Sequence, residues 1–66
     1  MSLIVNGQTK QLPSPAILAQ LIKDICADDR HVIIEHNGQI VRRPDWNSTT
    51  VKPGDTIELV TLVGGG

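Results

Sequence analysis

Val32-Ile33-Ile34-Glu35-His36-Asn37-Gly38-Gln39-Ile40-Val41 is the stretch whose reading decides the fold. Val32 to His36 is rich in β-branched residues, which favour extended backbone. Asn37-Gly38 follows, and both residues tolerate the positive φ that a type I′ turn requires, so Gln39 to Val41 returns as the second strand of a hairpin. The same signal stands near the N-terminus, where Leu3-Ile4-Val5 runs into Asn6-Gly7 and Gln8 to Leu12 comes back as a mostly polar strand near a sheet edge.

Between the two hairpins the hydrophobic period changes. Pro13-Ser14-Pro15 breaks the strand, with Ser14 reading as a helix N-cap and Pro15 as a first-turn residue. Ile17, Leu18, Leu21, Ile22 and Ile25 then recur at three- and four-residue spacing, one face of an amphipathic helix that ends near Cys26 or Ala27. Gln20, Lys23 and Asp24 take the other face. After the second hairpin, Arg43 to Ser48 reads as a loop or short 3₁₀ turn, and Thr49 to Val51 as a brief pairing segment. Lys52-Pro53-Gly54-Asp55 reads as a turn, and Thr56 to Val63 as the last and longest strand. Hairpin, helix, hairpin and final strand make an α+β chain. With the final strand inserted beside the first, this is a β-grasp arrangement, a mixed sheet of four to five strands wrapped on one helix. Residues 1–63 form the domain, and residues 64–66 a flexible glycine tail.

Size and composition limit the function classes. With 66 residues the chain is one domain with a small core, leaving little room for an enclosed active site. A net charge of -1 gives no general attraction to nucleic acid or anionic membrane, and a single aromatic residue, Trp46, excludes base-stacking modes of binding. One cysteine, Cys26, cannot form an internal disulfide, which fits a reducing compartment. The apolar runs are too short to span a bilayer, and a cytoplasmic location is expected.

Few residues suggest chemistry inside the domain. His31 and His36 lie an odd number of residues apart across a strand start and cannot converge on a metal, so both read as surface histidines. Cys26 reads as a small half-buried helix residue, with a redox or persulfide role as the alternative. Asp28-Asp29 reads as a solvated turn. Arg42-Arg43 reads as a solvated pair, with phosphate or carboxylate binding as the alternative, and Trp46 as a lid on the core. Strand alternation is more informative. If Leu3, Val5, Val32, Ile34, Ile57 and Leu59 point at the helix, then Ile4, Ile33, Val60 and Leu62 point away, forming one exposed apolar patch that leads to the tail. Such patches mark partner surfaces.

The tail itself, Val63-Gly64-Gly65-Gly66, is thin enough to enter a narrow channel because glycine has no Cβ. Its α-carboxylate is read as the reactive group, worked on inside another protein's active site.

These residues together resemble the sulfur-carrier proteins of thiamine (thiazole) biosynthesis, a ubiquitin-like β-grasp family. The resemblance covers essentially the whole chain. It rests on Val5-Asn6-Gly7, on Val32 to Val41, on Arg43 and Trp46 at their spacing, on Val51 to Leu59, and on Val63-Gly64-Gly65-Gly66. Arg42 stands where the family often has proline, and Ser14-Pro15 replaces a threonine-type cap. The resemblance implies a carrier rather than an enzyme, with no bound cofactor. An adenylating enzyme activates Gly66 with ATP, a cysteine desulfurase or sulfurtransferase supplies sulfur, and the Gly66 thiocarboxylate serves thiazole synthase. Gly64 and Gly65 form the tail, and Ile4, Ile33, Val60 and Leu62 bind partners. Three other readings share parts of the pattern: the small subunit of molybdopterin synthase, a ubiquitin-like protein modifier, and a β-grasp interaction module with no reactive end.

Overall fold

The computed structural model describes residues 1–12, 16–26 and 28–61. In chain order, strands β1 (Ser2–Val5) and β2 (Gln8–Gln11) form the first hairpin, and a short β3 (Ala16–Ile17) leads into helix α1 (Leu18–Ile25). Strands β4 (Val32–His36) and β5 (Gln39–Val41) form the second hairpin. A 3₁₀ segment (Arg43–Ser48), β6 (Thr50–Val51) and β7 (Thr56–Thr61) complete the chain. The main sheet is five-stranded in the order β2-β1-β7-β4-β5, and β3 and β6 make a separate two-stranded ribbon. The expected β-grasp is therefore the observed fold, with β7 parallel to β1 and antiparallel to β4.

Both Asn-Gly pairs behave as read: Asn6 and Asn37 have φ of 49° and 51°, and the glycines after them 79° and 84°. That is the type I′ signature, whose twist matches the flanking strands. Pro53-Gly54 forms the tight turn before β7, closed by Asp55 N–H donating to Lys52 O at 3.1 Å.

The helix starts later than its periodicity suggests. Ser14-Pro15, the expected cap, lies outside the described residues, and the observed N-cap is Ile17. Ala16 and Ile17 are taken instead by antiparallel pairing with Val51 and Thr50. Leu18 N–H then donates to Thr49 O at 2.8 Å, so a neighbouring backbone satisfies a helix-start donor that no side chain caps. This diversion leaves Ile17 47% exposed, although its spacing had placed it on the core face.

Leu3, Val5, Leu18, Leu21, Ile22, Ile34, Val51, Ile57 and Trp46 form the buried core. Ile25, Val32 and Leu59, expected inside with them, are partly buried and pack against its margin. Trp46 is the lid expected: 5% exposed, with its indole N–H donating to Val41 O at 2.8 Å. Arg43 covers the ring from outside, its guanidinium 4.6 Å from the ring centroid. Among the described residues no helix is long and apolar enough to cross a membrane.

Burial separates two isoleucines of the second hairpin. Ile34 is fully buried while Ile40 is 67% exposed. Ile34→Ala should lower the unfolding free energy by about 2–5 kcal/mol, from lost transfer energy plus a cavity. Ile40→Ala should change it by no more than about 0.5 kcal/mol, and urea titration of both variants checks the contrast.

His36 is not the surface histidine expected. Its Nε2 donates to Asp55 Oδ2 at 2.7 Å, and both side chains are largely buried. Burial alone would raise the Asp55 carboxyl. Hydrogen bonds from Lys52 N–H and from the His36 and Asn37 side chains outweigh it and hold the carboxyl below its ordinary value. A depressed folded-state value contributes stability that is complete above the unfolded value, about 3.9, and is lost as pH falls through the folded one. Asp55→Asn should therefore cost about 1–3 kcal/mol at neutral pH. Its deficit against the native chain should shrink once the pH falls below about 4, as read from urea midpoints across an acid series.

Candidate docking face and the strand that feeds the tail

Strand β7 is held unevenly along its length. At its start, Ile4 N–H donates to Asp55 O at 3.0 Å and Asn6 N–H to Ile57 O at 2.9 Å. The turn asparagines add side-chain clamps. Asn37 Oδ1 accepts from Thr56 N–H, and Asn6 Oδ1 accepts from Leu59 N–H, each at 2.8 Å. Asn6 thus stands in for a strand where β1 ends. Beyond it, Val60 and Thr61 pair among the described residues only with Ile33 and Val32 of β4. The end of β7 nearest the tail is therefore bonded on one side.

The sheet face away from α1 can be written out from the strand registers, because directly opposed residues share a face. Val60 stands opposite Ile33, Glu58 opposite Glu35, and Glu35 opposite Ile40. Ile4 pairs with Thr56, and Thr56 is four residues before Val60. Ile4 (39% exposed) and Val60 (47% exposed) both face outward as expected, and Ile33 is half-buried. The expected single patch is nevertheless divided. Four strand residues span about 13 Å, and Glu58 lies between Val60 and the Ile4 row. The continuous apolar part is Val60, directly opposite Ile33, and Ile40, diagonal to Ile33, across three strands. Ile40 was missed because its short returning strand carried no alternation to read. Leu62, Gly64, Gly65 and Gly66 lie outside the described residues.

The other candidate residues resolve into structural roles. Arg43 is not part of a solvated pair: besides covering Trp46, it donates to Asp29 O and sits 3.5 Å from Asp29 Oδ1. Arg42 is exposed and lines, with Val32, Ile33, Ile40, Val41 and Trp46, a groove of about 330 Å³. Asp28 clasps Arg30 through two bonds of 2.9 Å, and that side-chain bond holds its carboxyl well below the usual carboxylate range. Cys26 is half-buried just past α1, as expected, its thiol donating to Asp28 O at 3.1 Å. Among the described residues no three His, Cys, Asp or Glu side chains are placed to hold a metal ion.

A family model described as the ThiS family matches residues 3–66. The chain belongs to the ThiS family. The resemblance read from the hairpin, turn and tail motifs is confirmed at that level. A crystal structure of the thiamine biosynthesis protein (ThiS) from Geobacter metallireducens superimposes with a TM-score of 0.88, at 32% identity and full coverage of both chains. A protein of Paramagnetospirillum magneticum named thiazole synthase is 30% identical over 66 residues. This ThiS-family chain is matched over its whole length there but spans only 20% of that relative. An uncharacterized protein, ycf40, of Trieres chinensis is 29% identical over 62 residues, covering 94% of the chain and 85% of the relative.

The Asn6 clamp has a direct readout. Asn6→Gly keeps the positive φ at low cost while removing the side-chain acceptor. Amide exchange should accelerate at Leu59 and the residues after it, while Val5 and Ile57 stay protected. Hydrogen exchange followed by NMR checks this residue by residue.

Proposed function

We propose that the chain is a sulfur carrier of thiamine biosynthesis whose Gly66 is the carrying residue. Membership in the ThiS family supports the pathway, and the relative named thiazole synthase supports that enzyme as the acceptor of sulfur. The observation that carries the reading is the layout of β7. This strand is clamped at its start, single-sided at its end, and carries there the exposed Val60 opposite half-buried Ile33. Sequence continues from it directly into Leu62-Val63-Gly64-Gly65-Gly66. A partner seated on the face would thus be adjacent to the tail's base. Five extended residues reach about 17 Å beyond Thr61.

In this mechanism a free α-carboxylate at Gly66, ionised at neutral pH, attacks the α-phosphorus of ATP on an adenylating enzyme and displaces pyrophosphate. The terminal sulfur of a persulfide on a cysteine desulfurase or sulfurtransferase then displaces AMP to give an acyl disulfide. A thiol that attacks the enzyme-side sulfur releases the thiocarboxylate for thiazole synthase as a disulfide forms. Glycine places no branch beside the acyl carbon. ATP and the acid–base groups belong to the enzymes, and the carrier contributes the address of the reacting atom.

Incubation with ATP, an adenylating enzyme and a sulfur source should exchange one oxygen for one sulfur in the C-terminal peptide, by intact mass and fragmentation. Cys26→Ala should load normally, and one residue added after Gly66 should abolish loading. Sulfur that maps to Cys26 would overturn the proposal. Position should also separate binding from rate. Gly65→Ala is expected to slow adenylate formation with little change in affinity, because a misplaced carboxylate reacts poorly. Val60→Asp should weaken binding and spare the rate at saturation. Single-turnover ATP–pyrophosphate exchange over a range of carrier concentrations resolves the two.

A further inference from the structure

The outward sheet face carries a feature that its apolar residues do not explain. Glu35 of β4 and Glu58 of β7 stand directly opposite each other in the register. Like charges in that relation repel, since opposed Cβ atoms lie about 4.5–5.5 Å apart. The ion pairs among the described residues are Asp28 with Arg30, Asp29 with Arg43, and His36 with Asp55. Neither glutamate belongs to one. Arg42 follows β5 in the position facing Ile33, diagonal to Glu35, and forms no ion pair with it. The acidic pair is bordered by Val60 and Ile33 on one side and by Ile40 on the other.

That border determines what the face can accept. In the free domain Glu58 is exposed and Glu35 half-buried, so solvent reaches both side chains. A partner that covers the apolar residues also removes that water, and a desolvated carboxylate without a counter-charge is strongly unfavourable. A purely apolar or acidic partner surface is therefore rejected, and one that brings a cation to the pair is accepted. We infer that the Glu35–Glu58 pair is a specificity determinant that receives a lysine or arginine projecting from the apolar docking surface of thiazole synthase. The inference rests on the reading above that thiazole synthase is a partner, and it adds the charge that the partner must present. The same logic accounts for a repulsive pair at the centre of a sheet, where neutral residues would favour the fold.

The test titrates thiazole synthase from the same source with the full chain, by calorimetry at about 50 and 300 mM salt, ionic strengths that differ widely in screening. The native chain should bind more weakly at the higher salt. Glu58→Gln should bind about 30-fold more weakly at low salt, the lower end for removing one partner of a buried charge pair, with a flatter salt dependence. Glu58→Lys should bind more weakly still. Lys10→Gln, opposite the buried Leu3 and so on the other side of the sheet, should behave as native. Free Glu58→Gln should melt about 1–5 °C higher than native, because the repulsion is gone. Native affinity and native salt dependence in Glu58→Gln would overturn the inference and leave the carrier reading intact. A lowered melting temperature alongside lost affinity would also overturn it, since Glu58 would then act through folding. Self-association of the native chain that Glu58→Gln abolishes would assign the face to a second copy instead. Absence of any binding by the native chain would overturn the partner reading itself, and this inference with it.

Discussion

Everything in this domain depends on the insertion of β7 between β1 and β4. Two hairpins that close locally through Asn-Gly turns become one sheet only when the last strand bridges them, parallel to one and antiparallel to the other. Isolated hairpins are marginal in water, and three or more strands over an apolar surface are needed for independent stability. The insertion also brings Ile57 against Leu3, Val5 and Ile34, completing the buried set that α1 covers. The two turns help directly, since the asparagines that supply positive φ also offer their side-chain oxygens to β7. One residue type at each turn serves both hairpin geometry and strand capture.

Capture is graded along the strand. The entry to β7 is fastened by Asp55, by the His36 bond to it, and by the Asn37 clamp. Among the described residues the exit has only β4 beside it once Asn6 has been passed. On the carrier reading proposed above, this gradient gives the strand a firm base from which the sequence toward Gly66 departs. Rigidity at the base matters because a short tether positions its terminus no better than the point from which it departs.

Among the described residues a single eight-residue helix covers one face of the sheet, and nothing packs on the other. With no second layer packed there among the described residues, the outward residues are left to the recognition role proposed above. Val60, Ile33 and Ile40 form the apolar part of that face, with Glu35 and Glu58 opposite each other among them. The packing residues and those proposed for recognition thus lie on opposite faces of the same strands. A substitution that favours one face need not disturb the other.

Local physics, legible along the chain, determined the elements. Asn-Gly dipeptides announce type I′ turns because few residues adopt positive φ, and period-two alternation assigned Leu3, Val5, Ile34 and Ile57 inward and Ile4 and Val60 outward. The family, too, was readable from ordered motifs spread over the whole chain. What tertiary structure alone decided were the matters of register and competition. Ile17 left the helix face because Ala16 and Ile17 found a partner in Thr50–Val51, a pairing between segments more than thirty residues apart that no local pattern encodes. His36 became one partner of a half-buried pair because the turn ending in Asp55 folds over the end of β4, and Arg43 left its neighbour Arg42 for Trp46 and Asp29. The division between Ile4 and Val60, and the confrontation of Glu35 with Glu58, exist only once β7 is aligned with β1 and β4. Alternation assigns a side chain to a face, but only the hydrogen-bonded register assigns it a neighbour.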